Sequence, residues 1–327
     1  MRIAVTGSIA EDHLMVFPGR FAEQLIADRL DKVSLSFLVE ELEVRRGGVG
    51  ANIAFGLGRL GLTPYLVGAA GTDFSDYRLW LKEHGVDTDH VHISPTLHTA
   101  RFVCTSDADH NQIGSFYAGA MSEARTIDLR DVAERVGGFD AVLVSPNDPR
   151  AMLRHTREAK ELGIPFHADP SQQLARMDRD QVRALVDGAE ILFTNEYESV
   201  LVQEHSGWTE QQLLGRVGTW VTTLGSEGVR IQRVGVPDLH VPAVPVTGAQ
   251  EPTGVGDGFR AGFLAALSWG LGQETAARLG CALAAAVLGT TGPQGYDLSA
   301  DSLLDLLRTA YGPDEADRIA PHLAVPA

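Results

Sequence analysis

Glu251-Pro-Thr-Gly-Val-Gly-Asp-Gly-Phe-Arg-Ala-Gly-Phe-Leu264 is the stretch whose reading decides the rest. Gly254, Val255 and Gly256 precede an expected helix whose apolar stripe runs Phe259, Phe263, Leu267 at i, i+4 and i+8. Glycines at a helix start let successive backbone N–H groups converge, and the helix N-terminus adds partial positive charge, so the loop suits an anion. Asp257 sits beside that cradle. A carboxylate is a poor neighbour for a bound phosphate unless it has a task, and the natural task is accepting a proton from an attacking hydroxyl. The plain alternative is an Asp capping its own helix, a common use of the residue. Other phosphate-binding motifs are missing: no glycine is followed by lysine, and the first strand leads into Gly7-Ser-Ile-Ala-Glu-Asp12 instead of G-x-G-x-x-G.

Outward from this loop, short apolar runs bounded by turn residues alternate with helix-period segments. Ile3–Val5, Tyr65–Val67, Ala141–Val144, Phe166–Ala168, Ile191–Phe193 and Trp220–Thr222 read as strands. Ala51–Leu60, Ser75–His84, Arg150–Leu162, Gln172–Val186 and Glu196–Glu204 read as helices, and the tail from Leu271 is helical. The alternation predicts an α/β fold with a mostly parallel sheet covered on both faces. Two stretches break the rhythm. Val33–Val39 alternates apolar Val33, Leu35, Phe37 and Val39 with Ser34 and Ser36, and Arg101–Thr105 and Gln112–Tyr117 flank a polar turn at 106–111. Period-2 alternation predicts antiparallel ribbons with one wet face. Residues 13–46 and 98–117 are therefore expected to form a small β-sheet lid on a core of 1–12, 47–97 and 118–327.

Composition narrows the chemistry. The 327 residues carry 27 Lys plus Arg against 43 Asp plus Glu, a formal charge of −16, which excludes nucleic acid as main partner. Lysine occurs only at Lys32, Lys82 and Lys160, so phosphate must be held by arginine, backbone amides or metal. Cys104 and Cys281 lie far apart with no C-x-x-C, and the chain opens with strand-like Met1-Arg-Ile-Ala-Val-Thr-Gly7, which reads as a reduced, cytoplasmic protein. The longest apolar run, Cys281–Gly289, is about half the roughly 20 residues of a membrane span, so no membrane partner is expected. The 11 histidines show no H-x-x-x-H spacing for zinc.

Two motifs in order resemble the ribokinase (PfkB) family of carbohydrate and nucleoside kinases. Arg46-Gly-Gly-Val-Gly-Ala-Asn-Ile-Ala54 is similar to that family's Gly-Gly-x-x-x-Asn-x-Ala, and the 251–264 stretch to its Asp-Thr-x-Gly-Ala-Gly-Asp. Asn195-Glu-Tyr-Glu198 and Thr223-Leu-Gly-Ser-Glu-Gly228 extend the likeness over nearly the whole chain. Three phrases, 7–15, 116–125 and 169–176, resemble the adenosine kinases of mycobacteria and related actinobacteria. Glu251-Pro252 and Val255 depart from the family pattern, and Asp169-Pro-Ser-Gln-Gln lacks the Asp-x-Asn-x-Arg of many sugar kinases.

The resemblance implies a ribokinase-like core with a β lid, and transfer of the γ-phosphate of ATP to the 5′-hydroxyl of adenosine with Mg²⁺. Asp257 is then the base, and Gly254, Val255 and Gly256 the amide cradle. Asp12 and Asn52 are expected to grip the ribose 2′- and 3′-hydroxyls, with Ser8, Ser36 and Gly48 completing that end; a turn or N-cap role is the alternative for Asp12 and Asn52. Phe102 and Phe116 are expected to stack on the purine near Gln172 and Gln173, although an aromatic on a strand is more often core. Asn195, Thr223, Gly225, Glu227 and Gly228 are assigned to ATP, and Glu198 with Asn195 to the hydrated Mg²⁺, a solvated helix face being the alternative for Glu198. Arg176 is a further phosphate or substrate partner. The family also includes K⁺-activated members and homodimers joined through the lid. A sugar kinase on the same scaffold, or a non-catalytic nucleoside-binding protein, are the rival readings.

Overall fold

The computed structural model describes residues 1–24, 34–248 and 252–323. Its strands in chain order are β1 (Ile3–Thr6), β2 (Ala10–Val16), β3 (Glu41–Gly47), β4 (Tyr65–Val67), β5 (Ala69–Ala70), β6 (His92–Ile93) and β7 (Ala100–Ser106). β8 (Gln112–Tyr117), β9 (Ala141–Val144), β10 (Phe166–Ala168), β11 (Ile191–Asn195), β12 (Thr219–Thr223), β13 (Val229–Arg233) and β14 (Val236–Val241) follow. The helices are α1 (Phe21–Gln24), α2 (Val49–Arg59), α3 (Ser75–Glu83), α4 (Leu129–Val136), α5 (Pro149–Glu161) and α6 (Arg179–Val186). The rest are α7 (Glu196–Ser206), α8 (Glu210–Leu214), α9 (Val255–Ser268), α10 (Gln273–Leu288), α11 (Ala300–Tyr311) and α12 (Pro313–Ile319).

Eight strands form the main sheet in the order β14-β13-β12-β11-β10-β9-β1-β4. β4, β1, β9, β10, β11 and β12 run parallel, and antiparallel β13 and β14 close one edge. The strands bury both faces, so apolar residues run continuously and alternate between two cores. Ile3, Val5, Leu143, Ile191 and Phe193 join α2, α9, α10 and α11 in one; Ala4, Val142, Val144 and Leu192 join α4, α5 and α6 in the other. This is the α/β architecture, with a mostly parallel sheet covered on both faces, expected from the alternation in the sequence. Helix starts follow their caps: Asp128 accepts from the amides of Arg130 and Asp131 before α4, and Asp148 with Pro149 at the first helical position opens α5.

A separate four-stranded sheet has the order β3-β2-β7-β8. It is mixed: β3 and β8 are antiparallel to their neighbours, but β2 and β7 run parallel. Two expectations are corrected here. The strand expected at 33–39 is absent over residues 34–39, and Val33 lies outside the described residues. The strand is β3 instead, and Phe37 joins Phe17 and Phe21 in an aromatic cluster with ring centroids 4.9 and 5.0 Å away. Only Leu42 and Val44 mark the period-2 pattern in Glu41–Gly47, so the stronger alternation upstream masked it. The helix expected over Gln172–Val186 is a 3₁₀ segment at Ser171–Arg176 followed by α6. Asp178 forces the restart, because its side chain takes the Gln181 amide while Gln181 returns to the Asp178 amide.

Candidate active site

The functional groups gather at the carboxyl ends of β1, β10, β11 and β12, where open α/β sheets bind ligands. α9 begins there. Gly254 is its N-cap at φ 80°, and a Cβ at Gly254 would lie 2.4 Å from Pro293 Cβ, so both conformation and space require glycine. The first N–H groups of α9 have no intrahelical acceptor by their position, so the turn Gly254-Val255-Gly256 offers donors of the kind an anion would use. Asp257 lies in this first turn but does not cap the helix. Its Oδ2 instead accepts from Asn52 Nδ2 at 2.8 Å, across 205 residues of sequence. Burial pushes the Asp257 carboxyl up to about 7, opposed by the Asn52 hydrogen bond and Arg260 and reinforced by Asp169 and Glu198. A carboxylate that ionises near neutrality is suited to taking a proton from a hydroxyl.

Two residues that the sequence reading did not assign complete the charge balance. Arg260 is 5% exposed and donates from Nη2 to Asp169 Oδ1 at 2.6 Å and from Nη1 to the Gly256 carbonyl at 3.0 Å. Its guanidinium lies 5.6 Å from the Phe193 ring centre. Burial raises the Asp169 carboxyl to about 6 although Arg260 opposes it. The signal in the sequence was a lone arginine in a helix whose residues after Asp257 are otherwise apolar or small, where a buried charge needs a partner. Glu198 is 8% exposed, which is not a solvated helix face. It closes a capping box on α7, with Oε2 accepting from the Asn195 amide at 2.8 Å and Oε1 from Ser171 Oγ at 3.2 Å.

The smaller sheet meets this centre through Gly47-Gly48. Gly48 is the N-cap of α2 at φ 92°, and an added Cβ would sit 2.6 Å from the Ala10 nitrogen. Ser8 Oγ accepts from the Val49 amide at 3.0 Å, and the Gly48 carbonyl accepts from the Asn52 amide at 2.8 Å. Asp12 Oδ2 lies 3.1 Å from where a Gly47 Cβ would be. Register places Arg45, Asp12, Phe102 and Phe116 directly opposite one another on successive strands, hence on one face of the sheet. Phe102 is half-buried and Phe116 is 49% exposed, so neither is sealed in a core. Gln173 is buried and its Oε1 has no partner among the described residues, while Gln172 is exposed and takes the Ser171 hydroxyl. Ser36 stands exposed in the irregular segment before β3, and Arg176 is exposed at the end of the 3₁₀ segment.

On the other side of the cradle lies a cleft of about 670 Å³, lined by Thr223, Gly225, Gly228, Val244, Phe259, Leu288 and neighbouring residues, and by Val255 and Gly256 themselves. Glu227 is exposed outside that lining, as is Asn195. The cleft shares Val255 and Gly256 with the cradle, while the Asp12–Phe102–Phe116 row stands on the smaller sheet, which leads into α2 through Gly47-Gly48.

Residues 12–300 match the model of the pfkB family of carbohydrate kinases, and the chain belongs to that family. Nucleoside kinase of Methanothermobacter thermautotrophicus is 32% identical over 295 residues, 88% of this chain and 93% of its own. Ribokinase of Bacillus subtilis is 26% identical over 275 residues, covering 82% of this chain and 90% of its own. A structure of Burkholderia thailandensis nucleoside kinase with inosine superposes with TM-score 0.82 at 32% identity, covering 95% of this chain and 98% of that one. The protein is thus a kinase of the class that acts on sugars and nucleosides.

Proposed function

We propose that the protein phosphorylates the 5′-hydroxyl of adenosine with ATP. The observation that carries the reading is the position of Asp257: a buried carboxylate in the first turn of α9, held by Asn52 and next in sequence to Gly256, which lines the apolar cleft. Asp257 takes the proton as the 5′-oxygen attacks the γ-phosphorus; the new O–P bond forms while the bond to the leaving ADP oxygen breaks, and the proton later passes to solvent. The amides of Val255 and Gly256 hold the transferring phosphoryl group, a reaction that needs chiefly positioning and charge neutralisation. Adenine occupies the cleft lined by Thr223, Gly225 and Gly228. Phe102 and Phe116 stack on the nucleoside base, and Asp12, with Ser8, Gly48 and Asn52 beside it, takes the ribose hydroxyls. Similarity to the two nucleoside kinases supports a base-bearing acceptor over a bare sugar.

Mg²⁺ fits the donor set present. Glu198 and Asn195 would hold the hydrated ion, and it would neutralise phosphate charge. Among the described residues no group of three His, Cys, Asp or Glu side chains converges, and an ion bound mainly by phosphate and water requires none. The smaller sheet acts as the lid, and its outer face, with Leu42, Val44, Ile113 and Tyr117 exposed, pairs two copies of the chain. The deciding experiment measures ATP-dependent phosphorylation of adenosine, inosine, guanosine, cytidine, ribose and fructose. Highest kcat/KM for adenosine is expected; preference for ribose or fructose would overturn the nucleoside assignment.

A further inference from the structure

A buried chain of polar side chains runs from the aromatic face of α3 to Asp257. Trp80 Nε1 donates to Gln294 Oε1 at 3.1 Å; Gln294 Nε2 donates to Asn52 Oδ1 at 2.9 Å and to the Tyr77 hydroxyl at 2.5 Å. The Tyr77 hydroxyl donates to the Gly47 carbonyl at 2.9 Å, and Asn52 Nδ2 donates to Asp257 Oδ2 at 2.8 Å. Every direction in this chain is forced. An indole N–H can only donate, so the Gln294 oxygen must face Trp80. The Tyr77 hydroxyl has spent its proton on Gly47, so it can only accept from Gln294. Both neighbours therefore turn the amide nitrogen of Gln294 toward Asn52, whose carbonyl must then face Gln294 and whose N–H must face Asp257.

We propose that Gln294, aligned by Trp80 and Tyr77, is a positioning residue that holds Asn52 with its N–H, never its carbonyl, toward Asp257. The consequence is chemical. Were Asn52 free to turn, its carbonyl could accept from a protonated Asp257 and stabilise the neutral acid; the locked amide can only donate, and it donates more strongly to the carboxylate than to the acid. Rigid surroundings back the arrangement. The Arg46 guanidinium covers the Trp80 ring at 4.5 Å, Phe55 stacks on it at 6.0 Å, and Pro293 packs against Gly254, so the loop carrying Gln294 is fixed to the cradle. Gln294 and Asn52 are each 6% exposed and Tyr77 is 2% exposed. Burial holds the Tyr77 hydroxyl far above its ordinary range, so it stays a neutral donor. The groups that face Asp257 are Arg260 on its own helix, Asp169 after β10, Glu198 on α7 and Tyr296 in the loop of Gln294; a neutral replacement in the relay changes none of their charges.

The importance of this device rests on Asp257 being the base, but its test does not. The Asp257 carboxyl carbon is titrated by ¹³C NMR in the full-length protein, the signal identified by its loss in Asp257→Asn. Gln294→Met and Trp80→Phe remove the lock without adding charge. Each is expected to raise the Asp257 midpoint by about half to one pH unit, with the acid limb of kcat moving by the same amount. Trp80→Phe serves as the milder variant should Gln294→Met fail to fold. A midpoint within about 0.2 pH units of wild type in the folded variants overturns the relay. Wild-type turnover by Asp257→Asn instead overturns the base, leaving the titration to decide the relay.

Discussion

Asp257→Asn should make the protein both much slower and more stable at alkaline pH. In the folded chain the carboxyl titrates at about 7 in place of 3.8, chiefly because it is buried. A group whose folded value is raised binds its proton more tightly in the native state. Stability is therefore full below the unfolded value and falls as pH rises from about 4 to about 7. At about 1.4 kcal/mol per pH unit, the ionised carboxylate costs the fold about 4 kcal/mol above pH 7. An asparagine keeps an oxygen for the Asn52 N–H and never ionises, so most of that cost should vanish. That figure already includes the attraction of the carboxylate to Arg260, so the offset is only the imperfect fit of an amide in place of the acid, and a net gain of about 2–3 kcal/mol at pH 8 is expected, shrinking toward zero near pH 4. Urea denaturation of wild type and variant at pH 4, 6 and 8 measures the difference, and single-turnover kinetics should show kcat lower by roughly 10²–10⁴. A stability difference that is flat in pH, or that favours wild type at pH 8, would refute the assignment of a desolvated carboxylate.

Phe116 is half exposed, so Phe116→Ala should leave melting unchanged; if it stacks on the base, KM for adenosine rises about tenfold, within the 1–3 kcal/mol of a base–aromatic stack, and KM for ATP stays put. An unchanged KM for adenosine removes Phe116 from the site. Adenosine and 2′-deoxyadenosine should differ by at least about 100-fold in kcat/KM, because losing one hydroxyl leaves a buried polar partner unsatisfied; equal values sink the diol contacts. Arg260→Met should lower stability by about 3–5 kcal/mol at pH 8, since Asp169 is left buried without its counter-charge, and by less at pH 5, where Asp169 can take a proton. A loss independent of pH would mean that Arg260 acts through packing alone.

Local pattern was enough for the layered core. Tyr65–Val67, Ala141–Val144 and Phe166–Ala168 are strands at the bounds their apolar runs indicate, because a strand covered on both faces must be apolar throughout. The need for glycine at position 254 was equally legible, since only glycine accommodates the backbone there and the contact with Pro293. Tertiary structure alone decided which partners Asp257 would have. Asn52 is 205 residues away in sequence, and Gln294 lies 242 residues from Asn52; no periodicity or spacing links α2, α9 and the loop after α10 until the sheet brings them together. That Asp257 does not cap its own helix was likewise decided by that contact, because an Asp in a first turn can serve as a cap until something outside the helix claims its oxygen. Strand β3 stayed hidden for a related reason: its alternation is weak, and only full pairing with β2 distinguishes it from the more apolar stretch before it. Pattern records what each segment buries, whereas hydrogen-bond direction and charge balance depend on which distant segments share the burial.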